Sequence, residues 1–260
     1  MKNIIKKNII KLKPSSTLVI NEKSRELAAK GKKIYNFGFG QSPFPVPKKI
    51  VDTLKDNAHR KEYLPIQGLP ELRNAISNYL SKKTKENYPE ENIIITPGSK
   101  EAMLLMHVAF NGDILLPAPS WVSYGPQAEI AKNKIHWIQT TRENNWFPTV
   151  KQIEEKIKSI GKNKNLILII NSPNNPSGTT CTNLKEIAGV AKKYKIIILS
   201  DEIYTDLTFS NKYNSISKYY PEGTFVSGGL SKWCGAGGWR LGFFAVPKKL
   251  SNFLESLKSL

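Results

Sequence analysis

The sequence predicts an α/β fold of three layers, in which a mainly parallel sheet of about seven strands carries helices on both faces. Short apolar runs alternate with amphipathic segments along most of the 260 residues. Such alternation is typical of an open parallel sheet covered by helices. No internal repeat or low-complexity linker interrupts the pattern, and a chain of this length can bury one large core. One domain is therefore the simplest interpretation.

The predicted elements follow from the period of the apolar residues. Strands are predicted at 92–96, 113–116, 134–139, 166–170, 195–199, 224–227 and 241–246. Helices are predicted at 48–58, 70–82, 99–111, 122–132, 151–160 and 183–194. Before them come an N-terminal arm, 1–33, and an extended segment rich in glycine and proline, 36–47. After the last strand, apolar residues recur at helical spacing at Leu250, Phe253, Leu254, Leu257 and Leu260.

The net charge of the chain is +18, from 39 basic and 21 acidic residues. This surplus should attract anionic ligands, including a phosphorylated cofactor. The lysines are scattered and form no basic stripe interleaved with aromatic residues, so nucleic-acid binding is disfavoured. No apolar run approaches the roughly 18 residues that a membrane span needs. Lysines interrupt the apolar pairs of the N-terminus, which therefore lacks the continuous apolar region of a signal peptide.

Cysteine and histidine usage gives no sign of a metal site. Cys181 and Cys234 lie far apart and without CxxC spacing, which disfavours a disulfide framework or a zinc site. A reducing cytoplasm is therefore the expected location. His59, His107 and His136 show no metal-ligand spacing, so no metal is predicted.

A glycine-rich loop follows the sixth predicted strand and reads Gly228-Gly-Leu-Ser-Lys232-Trp-Cys-Gly-Ala-Gly-Gly-Trp-Arg240. The glycines and tryptophans around Lys232 would partly desolvate its amine and lower its pKa, which suits Schiff-base chemistry. Arg240, eight residues later, suits a bidentate clamp on a phosphate. A surface lysine in an ordinary loop is the alternative, which the flanking residues disfavour.

Polar side chains follow two more of the predicted strands. Asp201 comes directly after the run Lys195–Ser200, with Tyr204 three residues later, and Asn175 follows the strand at 166–170. Ligands of open α/β sheets bind at the carboxyl ends of the strands, so these side chains are candidates for one site. Purely structural roles are the alternatives, since Asp201 could cap a helix and Asn175 could belong to a turn.

A further candidate anion site lies where the strand at 92–96 meets the next helix. In Pro97-Gly98-Ser99-Lys100, free backbone N–H groups and the helix dipole would favour an anion. A glycine and serine before a helix are also a common cap, so this motif is weak by itself.

The segments 171–178, 200–204 and 228–242, in this order, resemble the large domain of class I/II aminotransferases. These are fold-type I enzymes that use pyridoxal 5′-phosphate (PLP). The resemblance runs from about residue 34 to the C-terminus. It implies that 34–249 form the PLP-binding large domain and that 250–260 begin a helix towards a small domain that the chain lacks.

The resemblance also implies a role for each motif residue. Lys232 would form a Schiff base with PLP and then move a proton, and Asp201 would keep the ring nitrogen protonated. Tyr204 and Asn175 would donate hydrogen bonds to the phenolic oxygen. The phosphate would be held by Gly98, Ser99, Lys100 and Arg240.

Three further positions match the family less specifically. Trp121 matches the aromatic residue that stacks on the cofactor ring, and an ordinary core tryptophan is an equal alternative. Tyr63 matches a tyrosine that reaches the cofactor phosphate of the neighbouring subunit in dimeric relatives. Gly40 matches a glycine near the substrate carboxylate, where Trp121 and Asn175 are also expected to contact substrate.

Two features depart from the family pattern. Gly229 stands where relatives often carry a phosphate-binding serine, so one hydroxyl contact worth about 1 kcal/mol is missing. In addition, no residue matches the arginine that binds the substrate α-carboxylate, which belongs to the family's small domain.

The resemblance thus predicts a cytoplasmic aminotransferase that passes an amino group between an amino acid and a 2-oxo acid. It also implies a homodimer with a shared active site. The same site could serve a PLP-dependent C–S lyase that works by β-elimination, and a truncated, non-catalytic PLP-binding fragment is the third hypothesis. The sequence does not identify the amino-acid substrate.

Overall fold

The computed structural model describes residues 4–35, 37–38, 40–84, 88–161, 164–209 and 214–260. Two residues of the predicted extended segment, Asn36 and Phe39, lie outside this description. Within it, one sheet contains all seven predicted strands. They are β1 (Ile93–Thr96), β2 (Asp113–Ala118), β3 (Ile135–Gln139), β4 (Leu166–Asn171), β5 (Ile197–Asp201), β6 (Thr224–Gly229) and β7 (Gly242–Ala245).

The strand order in the sheet is β1-β7-β6-β5-β4-β2-β3. Strand β7 is antiparallel to both of its neighbours, β1 and β6, whereas the other pairs are parallel. The prediction of a mainly parallel seven-stranded sheet is confirmed. All six residues of the interior strand β4 are buried, as expected for a parallel strand covered on both faces.

The six predicted helices are also present, with ends shifted by a few residues. The α-helices of the described chain are α1 (Lys7–Ile10), α2 (Ser16–Ala29), α3 (Lys48–Asn57), α4 (Pro70–Thr84), α5 (Ser99–Ala109), α6 (Tyr124–Ile130), α7 (Val150–Ile160), α8 (Leu184–Lys193) and α9 (Ser251–Lys258). A capping box begins α7: the Thr149 hydroxyl accepts a bond from the Gln152 amide at 3.2 Å, and the Gln152 side chain accepts one from the Thr149 amide at 2.9 Å.

The core is divided between the two faces of the sheet, because alternate residues of a strand point to opposite faces. Ile167 and Ile169 of β4 pack with α5, α6 and α9, whereas Leu168 and Ile170 pack with α7 and α8. Helix α4 packs on Val226 and Phe243, on the same face as α7 and α8. The predicted three-layer α/β/α architecture is therefore confirmed.

The apolar stripe near residue 260 has a partner inside the domain. Leu254 and Leu257 of α9 are 1% and 3% exposed in the core beneath α5. The Phe253 ring lies 5.1 Å from the ring of Phe225 on β6, measured between centroids. The sequence alone does not show this packing, and the division into 34–249 and 250–260 stays a prediction.

The N-terminal arm consists of α1 and α2. The side chain of Asn8 donates a hydrogen bond to the Glu129 carbonyl at 3.0 Å, which ties α1 to the end of α6. Helix α2 leaves about half of the surface of Leu18, Val19 and Ile20 exposed. Across the described residues, none of the helices has the length and apolar character needed to cross a membrane.

Candidate active site

The candidate active site lies where three neighbouring strands end. Asn171, Asp201 and Ser227 occupy paired positions near the carboxyl ends of β4, β5 and β6. The side chain of Asn171 donates to the Asp201 carbonyl at 3.0 Å and accepts from the Asn175 amide at 2.7 Å. This pairing fixes the backbone around Asp201 and holds the loop that carries Asn175.

Asp201 is a buried carboxylate, 3% exposed, that receives three donors. The hydroxyl of Tyr124 donates to Oδ2 at 2.6 Å. The Ile203 amide and the Ser227 hydroxyl each lie 3.3 Å from Oδ1. Burial raises the pKa of Asp201 above the usual carboxylate value, although the Tyr124 hydrogen bond opposes that shift. A cationic group beside Asp201 would favour its ionised form, which burial disfavours.

Tyr204 and Asn175 form a pair beside Asp201. The Asn175 side-chain amide donates to the Tyr204 hydroxyl at 3.2 Å. Burial raises the pKa of Tyr204 while Asn175 lowers it, and the hydroxyl remains protonated near neutral pH. Two donors are thus available for one acceptor oxygen on a ligand.

Lys232 is half-buried and directed into the same site. Its Nζ lies 5.6 Å from the centre of the Tyr204 ring and donates to the Gly40 carbonyl at 3.2 Å. Burial lowers the pKa of Lys232, and the charge of Asp201 only partly offsets that effect. The amine is therefore easier to deprotonate than that of an ordinary surface lysine, as Schiff-base chemistry requires.

The predicted anion cradle is formed by the start of α5 and the side chain of Arg240. The guanidinium of Arg240 donates to the Pro97 carbonyl at 3.0 Å and to the Gly237 carbonyl at 2.8 Å. A Cβ on Gly98 would lie 2.3 Å from Nη2 of Arg240 and would displace the guanidinium, and the φ of +85° at this position also favours glycine. The backbone N–H groups at the start of α5 and this cation together favour an anion.

Trp121 and Lys100 stand together next to the cradle. Trp121 is half-buried and packs edge-on against Tyr124, with 5.3 Å between ring centroids. The Lys100 Nζ lies 5.9 Å from the Trp121 ring. Trp121 thus packs partly against the core, and its stacking on a cofactor ring stays a prediction.

The structure brings most of the predicted site residues together, and Tyr63 is the exception. Its side chain is fully exposed and reaches none of the other site residues within a single chain. Gly40, whose φ is +56°, lies at the site through its carbonyl, which accepts the bond from Lys232. No group of side chains in the described part of the chain could hold a metal ion.

Sequence reasoning missed Tyr124, Asn171 and Ser227 as parts of the site. All three contact Asp201, yet each looks like an ordinary residue near a strand or helix end. One signal was available for Tyr124, because it comes three residues after Trp121 at the start of a helix that follows a strand. Nothing in the sequence pairs it with Asp201, 77 residues away.

Comparison with known proteins shows similarity along the whole described fold. The aspartate aminotransferase of Bacillus sp. strain YM-2 is 33% identical over 270 residues, which span all of this chain and 68% of that protein. The aspartate aminotransferase of Pyrococcus horikoshii is 36% identical, over 92% of this chain and 63% of that protein. The chain therefore spans about two thirds of the length of these relatives.

Solved structures give the same result. The aspartate aminotransferase of Thermus thermophilus with maleate superposes with a TM-score of 0.91 at 26% identity, over 99% of this chain and 67% of that chain. The family profile described as aminotransferase class I and II matches residues 32–260. The protein is a member of the class I and II aminotransferase family.

Proposed function

We propose that this chain binds PLP and carries the catalytic residues of an aminotransferase, which moves an amino group between an amino acid and a 2-oxo acid. One observation carries the proposal: Lys232, with its lowered pKa, shares a site with a buried carboxylate and with the Tyr204–Asn175 donor pair. This combination matches three needs of PLP, which are an amine, an acid at the ring nitrogen and donors at the phenolic oxygen, and the start of α5 with Arg240 supplies the fourth, a phosphate cradle.

The residues fit the cofactor by charge and by shape. Asp201 is a buried anion at the end of a strand and would face the protonated ring nitrogen. The cradle of Gly98, Ser99 and Arg240 leaves no room for a Cβ at Gly98 and is suited to a phosphate. Trp121 presents a flat ring next to this cradle, and Lys100 adds a second cation. When bound, PLP supplies an aldehyde for an amine and a ring that withdraws electrons from the bond being broken.

The chain's own residues then have separate tasks. Lys232 would hold the cofactor through Nζ, and its freed amine would take and return a proton at the same nitrogen. Asp201 would favour a proton on the ring nitrogen, because the Tyr124 hydrogen bond stabilises its ionised form. Tyr204 and Asn175 would donate hydrogen bonds to the phenolic oxygen and so orient the ring.

Aspartate is the amino donor that we propose. The relatives reported above are named aspartate aminotransferases, and the net charge of +18 favours an anionic substrate with two carboxylates. Gly40, Trp121 and Asn175 would line its binding site. A C–S lyase would share the same cofactor residues, but these relatives carry the name of the transferase.

We further propose a homodimer, in which the exposed Tyr63 reaches the phosphate cradle of the second copy. A single chain leaves Tyr63 without any function at its own site. A cytoplasmic location is supported by the two cysteines, Cys181 and Cys234, which are both buried and free.

Absorbance with added PLP tests the cofactor site. The wild-type chain should develop a visible band that borohydride removes, and Lys232→Ala should not. Lys218→Ala is the matched control, because the Nζ of Lys218 lies 5.8 Å from a tyrosine ring, much like that of Lys232, but on a remote surface. Equal bands in the wild type and in Lys232→Ala would contradict the assignment of Lys232.

Product analysis distinguishes the two reactions. With PLP, aspartate and 2-oxoglutarate, an aminotransferase yields glutamate and oxaloacetate in equal amounts. Release of ammonia and pyruvate from a sulfur amino acid, with no amino transfer, would instead support the lyase.

A further inference from the structure

A cavity of about 200 Å³ lies next to the loop that carries Lys232. It is bounded by α4 on one side and by Leu230 and Trp233 on the other. The side chain of Asp201 points towards Tyr124 of α6, whereas α4 packs on the opposite face of the sheet. The cavity is therefore separate from the candidate active site, although both contact the same loop.

The lining of the cavity is mostly apolar. Leu72 and Ile76 of α4 line it together with Leu241 and Phe243. Trp233 lies at the cavity and is 45% exposed, so part of its ring is open to solvent. An apolar cavity of roughly 150 Å³ is large enough to bind benzene, so this one can accommodate an aromatic molecule of one or two rings.

Two carboxylates give the cavity a polar side. Glu202 is 7% exposed and accepts hydrogen bonds from Ser200, at 2.9 Å, and from Ser215. Asp206 accepts from the Tyr79 hydroxyl at 2.6 Å and pairs with Lys83. An ionised carboxylate has about four acceptor sites, and these bonds leave acceptor capacity on Asp206.

These groups also determine which ligands the cavity excludes. Carboxylates in the wall repel an anionic ligand, so amino acids and 2-oxo acids are poor occupants of the cavity. Lys83 already balances the charge of Asp206, which lowers the advantage of a cationic ligand. A neutral ring with one N–H or O–H donor satisfies both the apolar lining and the remaining acceptor.

We propose that this cavity is a binding site for a small neutral aromatic molecule that carries one hydrogen-bond donor, such as an indole or a phenol. The ring packs between Ile76 and Trp233, and the donor is directed to Asp206. The site does not depend on PLP or on catalysis.

Calorimetric titration of the 260-residue chain with indole tests the proposal. We expect one site with a dissociation constant of about 0.1–1 mM. Indole-3-carboxylate, which adds only an anionic group, should bind at least about tenfold more weakly because of the two carboxylates. Equal affinities for the two ligands, or no heat with indole, would overturn the proposal.

A substitution that fills the cavity tests whether indole binds inside it. Ala75→Leu adds bulk on the cavity side of α4 and should weaken indole binding at least about tenfold. Ala28→Leu makes the same change on the exposed surface of α2 and should bind like the wild type. If Ala75→Leu fails to fold, a crystal soaked with indole decides the matter: density between α4 and Trp233 supports the site, and density elsewhere or none refutes it.

Discussion

Asp201 is a buried carboxylate whose charge depends on the donors around it. Burial alone would raise its pKa and favour the neutral acid, which could not hold a proton on a ring nitrogen. The Tyr124 hydroxyl, at 2.6 Å, is the nearest of the three donors and the one that a single substitution removes most cleanly. At the scale of single residues, the chemistry of the site therefore depends on a hydrogen bond from a neighbouring helix.

Replacing Tyr124 by phenylalanine should weaken PLP binding and change its pH dependence. A hydrogen bond to a charged group contributes about 1.5–3 kcal/mol, so we expect roughly a tenfold or greater loss of PLP affinity. The pKa of Asp201 rises further without this donor, and the protonated, weakly binding form then persists to higher pH. Absorbance titrations with PLP between pH 6 and 9 measure both effects.

The matched control is Tyr194→Phe. The Tyr194 hydroxyl also contacts a carboxylate, Glu154 at 3.3 Å, but it lies on α8's side of the sheet, away from the site. This variant should bind PLP like the wild type. If Tyr124→Phe does so as well, the hydrogen bond to Asp201 has no influence on the cofactor.

At the scale of elements, the anion cradle depends on a close approach between β7 and the start of α5. Gly242 begins β7 and faces the turn at Gly98 and Ser99. A Cβ at Gly242 would lie 2.4 Å from the Ser99 amide nitrogen and 2.5 Å from the Gly98 carbonyl carbon. Both are backbone atoms, which cannot move away without shifting the helix.

Gly242→Ala should therefore destabilise the fold and disrupt the cradle together. We expect a loss of more than about 2 kcal/mol in the free energy of unfolding, the range of an overpacked core substitution, and a strong loss of PLP affinity. Urea unfolding measures the first and absorbance titration the second.

Gly189→Ala is the corresponding control. Gly189 lies inside α8, and a Cβ there would meet no atom within 4 Å. Alanine is favoured over glycine inside a helix by roughly 0.5–1 kcal/mol, so this variant should be slightly more stable than the wild type. A Gly242→Ala protein as stable as the wild type would show that α5 can shift at little cost.

At the scale of the whole molecule, the buried His107 links stability to pH. His107 of α5 is 0% exposed, and neither ring nitrogen meets a partner with hydrogen-bond geometry among the described residues. Burial lowers its pKa from 6.5 to about 4, and the nearby Asn133 only partly opposes this effect. The unfolded chain therefore binds a proton at this residue between pH 6.5 and about 4, whereas the folded chain does not.

The free energy of unfolding should consequently fall as the pH is lowered through that range. Each pKa unit corresponds to about 1.4 kcal/mol, so the full effect is on the order of 3 kcal/mol. In His107→Leu this part of the pH dependence should disappear. Urea unfolding of both proteins at several pH values measures the difference, and identical slopes would refute the role of His107.

A separate cluster of charged side chains around Asp113 affects the free energy of unfolding at lower pH. Burial of Asp113 raises its pKa, but hydrogen bonds from His136 and Lys164, each at 2.8 Å, lower it to a net value below 3.8. Its contribution to stability is present above pH 3.8 and is lost as the pH falls further. The His107 effect, which lies above pH 4, can therefore be measured separately.

Local sequence patterns are sufficient to predict the layers of the fold and most of the candidate site residues. Strands and helices produce a local periodicity of apolar residues. All seven strands, and the positions of Asp201 and Asn175 after strand ends, could therefore be predicted. Because parallel strands end at one edge, their polar ends were expected at one site. Lys232 and Arg240 are predicted site residues because glycines and tryptophans cluster around them in one loop.

The side chains that surround those residues are visible only in the folded chain. The Tyr124–Asp201 bond joins residues 77 positions apart, and the contact of Arg240 with Pro97 spans 143. Likewise, the partner of α9 on the sheet depends on how β6 and α5 come together. Such contacts leave no local periodicity, because they arise from the order of strands in the sheet and from which helix covers each face.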